Sequence, residues 1–245
     1  MNFIIAKDSD AMGRIAATIV AAQVSTKPNS ILGLATGSTP IPLYKELVNL
    51  YKKGELDFSQ VKSFNLDEYL GLPPTNDQSY MYFMKDNLFD HINIKKGHYH
   101  VPSGNSPNLE DEAKNYEKMI KESGGIDIQI LGIGPNGHIG FNEPDTKFEK
   151  VTHVTGLTES TIEANKRFFS KKEDVPTKAI TMGIKTVMMA KSIILLASGK
   201  NKAEIVKQSF FGDIVPGVPA SVLQLHQNVT VITDAEAGAS IKALI

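Results

Sequence analysis

Cysteine is absent from the 245 residues of this chain, so disulfide bonds, thiolate nucleophiles and cysteine-ligated metal sites are excluded. An excess of charge of one sign is also missing, because 26 basic residues meet 27 acidic ones and leave a net charge of −1. This composition does not supply the basic surface that a nucleic-acid-binding protein needs. We therefore expect no nucleic-acid partner.

Long hydrophobic runs are missing as well. The apolar patch near the start, Phe3–Ile5, is shorter than the core of a signal peptide. No run approaches the roughly 20 apolar residues of a membrane-spanning helix. With 41% hydrophobic and 22% charged residues, the composition is that of an ordinary globular protein. The expectation is a cytoplasmic protein with no membrane partner.

Short apolar runs do occur, and they alternate with amphipathic stretches from end to end. Leu43, Leu47 and Leu50 have the spacing of one buried helix face. The run Ile193–Ala197 is apolar on both faces, as in strands covered on both sides of a parallel sheet. This alternation predicts a single domain over residues 1–245, an α/β fold with a doubly wound, mostly parallel sheet and helices on both faces. The predicted strands are Phe3–Ala6, Ile31–Ala35, Val61–Leu66, Ile126–Gly132, Ala179–Met182, Ser192–Ala197 and Val229–Ile232.

The segment 145–177 departs from this rhythm. It has few clear strands, and a mobile lid over a site and a solvated helical excursion are both compatible with its composition. The two interpretations stay open. Its basic residues are Lys147, Lys150, Lys166, Arg167, Lys171 and Lys172.

Ligands of open α/β sheets bind beyond the carboxyl ends of the strands, which directs attention to three loops. The first, Ala35–Pro40, follows a predicted strand and opens a predicted helix. Gly37 allows a ligand to approach the backbone closely, and Ser38 or Thr39 is expected to cap the helix. Backbone N–H groups at a helix start attract phosphate. A capped helix without a ligand is the alternative interpretation.

The second loop follows the predicted strand Val61–Leu66 and carries two adjacent carboxylates, Asp67 and Glu68. A carboxylate at the lip of an apolar pocket can have a raised pKa and act as a base. Helix capping, or simple solvation of an acidic pair, is the commoner situation and remains the alternative.

The third loop, Leu131–Pro144, is the most informative stretch of the chain. Gly132, Gly134 and Gly137 have the GxGxxG spacing of dinucleotide-binding sites. Such a site needs a helix that begins at the third glycine. Gly140 and the closing proline interrupt the following residues, which have no helical period, so a nucleotide site is not predicted.

The same loop is typical of acid–base chemistry. Histidine changes its charge near neutral pH, and the flanking glycines are expected to expose His138 at the edge of the sheet. Asn136 and Glu143 lie close enough in sequence to orient the imidazole ring. A structural histidine in a tight loop is the alternative interpretation.

Other candidates carry less information. His98 and His100 share one face of a strand, but two ligands do not make a metal site, and no metal is predicted. Arg167 and Lys202 are single cations that could hold a phosphate, and each could equally be an ordinary surface residue.

Four segments in order along nearly the whole chain together resemble the glucosamine-6-phosphate deaminases. They are Phe64–Tyr69, Gly134–Pro144, Ala164–Phe169 and Leu223–His226, and the second contains the specific run His-Ile-Gly-Phe-Asn-Glu-Pro. The resemblance implies a Rossmann-like fold shared with 6-phosphogluconolactonases. It also implies conversion of glucosamine 6-phosphate and water into fructose 6-phosphate and ammonia, without a metal or organic cofactor.

The resemblance implies roles for individual residues. Asp67 corresponds to the family's proton-transferring base, and His138 and Glu143 correspond to its ring-opening residues. Asn136, beside them, is included in the predicted catalytic set. The positions that hold the sugar phosphate correspond to Gly37, Ser38, Thr39, Arg167 and Lys202.

Two departures from the family pattern matter. Many members have aspartate at the position of Asn136, so we expect Glu143 to be the main charged partner of His138. Allosteric hexameric relatives carry a longer tail, whereas Ile245 ends this chain soon after a helix expected to begin near Asp234. This resemblance to the shorter bacterial type favours a monomer over a hexamer.

Two other interpretations of the function stay open. They are a 6-phosphogluconolactonase-like hydrolase and a non-catalytic sugar-phosphate sensor.

Overall fold

The computed structural model describes residues 1–166, 169, 171 and 174–245. In this part of the chain the strands are β1 (Asn2–Ile5), β2 (Ile31–Leu34), β3 (Lys62–Asn65), β4 (Asp67–Tyr69), β5 (Tyr99–His100), β6 (Ile128–Gly132), β7 (His153–Gly156), β8 (Lys178–Thr181), β9 (Ser192–Ala197) and β10 (Val229–Thr233). The α-helices are α1 (Ser9–Thr26), α2 (Ile41–Lys52), α3 (Tyr80–Asn87), α4 (Leu109–Glu122), α5 (Glu159–Asn165), α6 (Ile184–Met188) and α7 (Ala203–Phe211). Short 3-10 helices occupy Phe89–His91, Lys200–Lys202 and Pro219–Leu225.

Seven strands form one parallel sheet in the order β1-β10-β9-β6-β2-β3-β5. The interior strand β9 is buried from Ile193 to Ala197, as the two-sided apolar run predicted. The helices surround this sheet, so the predicted Rossmann-like α/β class with a mostly parallel sheet is confirmed. Where α1 meets α2, a Cβ on Gly13 would lie 2.5 Å from the Cβ of Pro42, so glycine allows the close approach.

A second, antiparallel sheet was not predicted. Its three strands have the order β4-β8-β7. The predicted strand Ala179–Met182 exists as β8, but it pairs with β4 and β7 and not with the main sheet. The strand β7 lies in the segment that was expected to have few strands. Strand pairing depends on residues far apart in sequence, so hydrophobic pattern alone did not assign the sheet.

Two local expectations were wrong. Helix α2 begins at Ile41 with Pro40 at the cap position, and no side chain caps it, so neither Ser38 nor Thr39 serves as the N-cap. The expected helix near Asp234 is replaced by turns over residues 235–244. Gly238 packs there against β10, since a Cβ on it would lie 2.5 Å from Oγ1 of Thr233.

In the described part of the chain, no helix combines the length and the apolar character needed to cross a membrane.

Candidate active site

A cleft of about 450 Å³ opens at the carboxyl ends of β2, β3, β6 and β9. This is the edge at which parallel α/β sheets bind ligands. The cleft brings together residues from all three loops singled out in the sequence. Its lining includes Thr36, Gly37, Ser38, Thr39, Asp67, Tyr80, Gly134, His138, Thr161, Asn165, Ser198, Asn201 and Lys202.

Asp67 is the carboxylate at the bottom of this arrangement. It begins β4 and is only 5% exposed. Burial, with a smaller contribution from the charge of Glu68, raises the pKa of Asp67 well above its usual value of 3.8. The ring of Tyr80 lines the same cleft and stacks on Phe141 at a centroid distance of 6.0 Å. A carboxylate in such surroundings is a stronger base than one in water, because its ionised form is poorly solvated.

Glu68 has a different environment, which decides between the two adjacent carboxylates. Its side chain accepts hydrogen bonds from the backbone N–H groups of Tyr69, Tyr80 and Met81, at 2.9, 2.9 and 3.1 Å. Successive side chains of a strand point to opposite faces, so Glu68 turns away from Asp67 and ties β4 to the first turn of α3. Glu68 therefore fits the capping alternative, and Asp67 alone faces the cleft.

The loop after β6 has no helix between residues 133 and 144, so the dinucleotide geometry is absent there. The loop closes on itself, because the N–H of Gly134 donates to the carbonyl of His138 at 2.9 Å. The imidazole of His138 lies directly over Gly134: a Cβ at that glycine would be 2.2 Å from Cε1 of the ring. Gly137 adopts a φ of +87°, which glycine tolerates best. The glycines thus leave room for the imidazole ring to pack against the loop, in addition to exposing His138.

This packing leads to a prediction for Gly134→Ala. The new methyl group must displace the imidazole from its place in the cleft. A misplacement of a reacting group by about 1 Å is costly, so we expect catalytic activity to fall at least about tenfold. The stability of the folded protein should change little. Steady-state kinetics and thermal unfolding of the purified variant measure both quantities.

A matched control is Gly217→Ala, because a Cβ there meets no atom within 4 Å and Gly217 is exposed. It should leave both activity and melting temperature unchanged. Wild-type activity in Gly134→Ala would contradict a role for the seated ring.

His138 and Glu143 form the polar pair of this loop. Nδ1 of His138 lies 3.3 Å from Oε2 of Glu143, without the alignment of a regular hydrogen bond. Nδ2 of Asn136 donates to the same Oε2 at 2.8 Å, and Oγ1 of Thr161 donates to Oε1. Burial alone would raise the pKa of Glu143, but the proximity of His138 and these hydrogen bonds outweigh it and lower the pKa to about 2. Glu143 therefore stays ionised beside the imidazole across the neutral range.

Asn136 contacts Glu143 rather than the imidazole ring. Its amide nitrogen is bound to the carboxylate, and its Oδ1 accepts the backbone N–H of His138 at 3.2 Å. The sequence interpretation in which Asn136 orients the ring directly is therefore corrected: it acts on Glu143 and on the backbone.

The cleft is also lined by Gly37, with a φ of +97°, by Ser38 and Thr39, and by Lys202. We call the part of the cleft that these four residues line its donor-rich end. Nζ of Lys202 donates to the carbonyl of Ile133 at 2.6 Å. These groups provide donors suited to an oxyanion such as phosphate. Arg167 lies outside the described residues.

The loop that carries Lys202 is held by a buried carboxylate that the sequence did not single out. Oδ2 of Asp234 accepts the hydroxyl of Ser198 at 2.5 Å and the N–H of Gly199 at 2.9 Å. Its Oδ1 accepts the N–H of Ala237 at 2.8 Å. A carboxylate two residues after the predicted strand Val229–Ile232 was the available signal.

Three further cleft residues, Tyr80, Thr161 and Asn201, were also missed. They lie on helices or turns whose orientation towards the cleft depends on packing between distant elements.

The two candidate metal ligands have structural roles. Nδ1 of His98 lies 3.2 Å from the carbonyl of Val61, and His100 stacks on Phe64 at 4.8 Å. Within the described residues, no three histidine or acidic side chains gather as a metal-binding group.

The cleft thus combines a buried carboxylate of raised pKa, an imidazole paired with an ionised carboxylate, and a donor-rich end. When two titratable groups of one site have different pKa values, one can act as an acid and the other as a base on the same substrate. The donor-rich end can hold an anionic group and keep the rest of a small molecule within reach of Asp67 and His138.

The chain is similar to proteins of one known family. A family model described as "Glucosamine-6-phosphate isomerases/6-phosphogluconolactonase" matches residues 7–232. A glucosamine-6-phosphate deaminase of Clostridioides difficile (strain 630) is 58% identical over 240 residues, which is 98% of this chain and 96% of the relative. One from Clostridium botulinum (strain Langeland / NCTC 10281 / Type F) is 54% identical and covers 99% of both chains.

Solved structures give the same family. A structure described as a monomeric glucosamine-6-phosphate deaminase has a TM-score of 0.96 and 44% identity, covering 98% of this chain and 100% of its own. A 6-phosphogluconolactonase from Leishmania guyanensis has a TM-score of 0.74 with 21% identity, and it covers 98% of both chains. At that identity, the second likeness concerns the fold alone.

Proposed function

The chain belongs to the glucosamine-6-phosphate isomerase/6-phosphogluconolactonase family, and we propose that it converts glucosamine 6-phosphate and water into fructose 6-phosphate and ammonia in the cleft. The observation that carries this proposal is the buried Asp67 in the same cleft as His138, whose Nδ1 lies 3.3 Å from the Glu143 carboxylate. The relatives named glucosamine-6-phosphate deaminase, at 54–58% identity, support the choice of reaction.

Ring opening is assigned to His138. The substrate enters as a closed pyranose, so the bond from C1 to the ring oxygen must break while a proton moves from the C1 hydroxyl to that oxygen. An imidazole can accept the proton from the C1 hydroxyl and donate a proton to the ring oxygen. Glu143 stabilises the protonated imidazole that forms in between, and Asn136 holds the Glu143 carboxylate at 2.8 Å.

Isomerisation and deamination are assigned to Asp67. The open aldehyde acidifies the proton on C2, which the carboxylate removes and returns to C1. Together with the passage of one proton from the amino nitrogen to the C1 oxygen, this transfer leaves an imine at C2 and a hydroxyl group at C1. Water then adds to the imine and expels ammonia. The raised pKa of Asp67 makes its carboxylate a competent base for the carbon-bound proton.

Binding of the phosphate group is assigned to the donor-rich end of the cleft, with Gly37, Ser38, Thr39 and Lys202 as its described residues. Arg167 is assigned to the same group on the family resemblance alone. An anchored phosphate keeps the flexible open chain within reach of Asp67, which is an entropic advantage.

The test is release of ammonia from glucosamine 6-phosphate by the purified protein. We expect turnover without added metal or cofactor, and no comparable hydrolysis of 6-phosphogluconolactone. Hydrolysis of the lactone without ammonia release would favour the lactonase-like alternative. Binding of the amino sugar phosphate without turnover would favour the sensor. Asp67→Asn serves as the inactive control.

The same proposal includes a single domain, a monomer and a cytoplasmic location. Only Leu66 separates β3 of the main sheet from β4 of the small sheet, and both sheets border the cleft, which supports one structural unit. The relative described as monomeric, at 44% identity over the whole chain, supports a monomer. Light scattering should give about the chain mass of 26.7 kDa.

A further inference from the structure

Glu143 is held from both sides by neutral donors, and one of them belongs to a distant element. Asn136 donates to Oε2 from within the same loop. Thr161 donates to Oε1 from the first turn of α5, 18 residues later in the sequence. Thr161 is 3% exposed and lines the cleft, so its hydroxyl reaches the carboxylate from the cleft wall.

The direction of these hydrogen bonds follows from the chemistry of the groups. An ionised carboxylate only accepts, so Thr161 must give its single hydroxyl proton to Glu143. Thr161 can then only accept from the hydroxyl of Thr158, 3.1 Å away. Because that interaction uses the proton of Thr158, Thr158 must accept from the hydroxyl of Ser160 at 3.0 Å. The first turn of α5 is thus a directed chain of three hydroxyl groups that ends on Glu143.

The same turn fixes the backbone. Thr158 is the N-cap of α5, and its side chain accepts the N–H of Thr161 at 3.3 Å. The position of Thr161 is therefore set by the seating of α5, while its hydroxyl sets the rotation of the Glu143 carboxylate. That rotation keeps Oε2 at 3.3 Å from Nδ1 of His138.

We propose that Thr161 is a positioning residue for the ring-opening step: it aims the Glu143 carboxylate at His138 when α5 is seated against the cleft. This inference rests on the proposed function, and no contact between Thr161 and the substrate is required. The position of α5 in the cleft wall therefore determines whether Glu143 is aligned with His138.

The test compares Thr161→Val, which keeps the shape and removes the donor, with Thr161→Ser, which keeps the donor. Thr161→Val should lower kcat by roughly 10- to 100-fold with little change in KM, because it removes a hydrogen bond to a charged group. Thr161→Ser should stay within about threefold of wild type, since the same bond survives. Thr155→Val, on the neighbouring strand β7, is the matched control and should leave kcat unchanged.

The pH profile separates positioning from general damage. Among the described residues, the titratable group that faces Glu143 is His138, whereas Asn136 and Thr161 are neutral. Thr161 lowers the pKa of Glu143, so its removal should raise the pKa of that carboxyl group, which an NMR titration of the protein follows directly. Binding of the reduced, open-chain form of the substrate needs no ring opening and should be unchanged in Thr161→Val.

A double-mutant cycle covers the case in which the valine variant folds poorly. In a Glu143→Gln background, a change at Thr161 should have little further effect on ammonia release, because coupled residues are not additive. Full kcat in Thr161→Val, failure of serine to restore it, or additive losses in the cycle would each overturn the inference. Lack of ammonia release by the wild type would instead overturn the proposed function.

Discussion

Replacing Asp67 by asparagine is expected to lower the rate of ammonia release by about 10²- to 10⁴-fold and at the same time to stabilise the folded protein at neutral pH. The loss of rate follows because the amide cannot take the proton from C2. Substrate affinity should change little, since Asp67 is not one of the residues assigned to the phosphate group.

The gain in stability follows from the sign of the pKa shift. Burial first, and Glu68 second, raise the pKa of Asp67 above 3.8, its usual value. A carboxyl group with a raised folded pKa contributes its stability below the unfolded pKa, and that stability is lost as the pH rises through the folded pKa. At pH 7 the wild type therefore carries a free-energy cost that asparagine removes.

Thermal unfolding between about pH 8 and pH 5 measures this effect, and the gap between the two proteins should narrow as the pH falls towards 3.8. Asp77→Asn, at an exposed carboxylate, is the matched control and should alter neither rate nor melting temperature. A less stable Asp67→Asn at neutral pH would contradict the assignment of a destabilising buried carboxylate.

Replacing Glu143 by glutamine should give the opposite sign of stability change. The pKa of Glu143 is lowered from 4.5 to about 2, because His138, Thr161 and Asn136 together outweigh the effect of burial. A lowered folded pKa contributes stability above the unfolded pKa, and that stability is lost as the pH falls through the folded pKa. The glutamine variant should therefore melt at a lower temperature than the wild type at pH 7, with a gap that narrows below pH 4.5.

The rate should fall as well, by about 10²- to 10³-fold, because no anion remains to stabilise the protonated imidazole. Asn136→Asp is the informative comparison. It exchanges the 2.8 Å donor for a second carboxylate beside Oε2, so the acidic limb of the pH–rate profile should shift to higher pH. Its rate loss should be smaller than that of Glu143→Gln. Equal losses would contradict Glu143 as the main charged partner, and an unchanged acidic limb would contradict the contact of Asn136 with that partner.

The sequence was most informative where chemistry is local. The helical spacing of Leu43 and Leu47 and the two-sided run Ile193–Ala197 predicted elements that the structure contains. The glycines of the third loop, taken together with Gly140 and Pro144, argued against a nucleotide site from the sequence alone. In both cases the deciding interactions lie within one element or one turn, which residue order describes directly.

The sequence was least informative where partners come from different elements. It placed Asp67 and Glu68 side by side, but only the start of α3 determines that Glu68 is used to bind backbone N–H groups. It suggested that Asn136 acts on the imidazole, whereas packing puts the amide on Glu143. The lid interpretation of segment 145–177 stays a prediction, although β7 and α5 occupy part of that segment.

By itself, the residue order determined the α/β class, the loops at the carboxyl ends of the strands and the chemical groups available there. Only the tertiary structure decided which of those groups meet: Asp67 and not Glu68 faces the cleft, His138 packs on Gly134, and Thr161 is bound to Glu143. The physical reason is that backbone pattern follows from nearby residues, while the distances, burial and pKa of an active site follow from packing between elements distant in sequence.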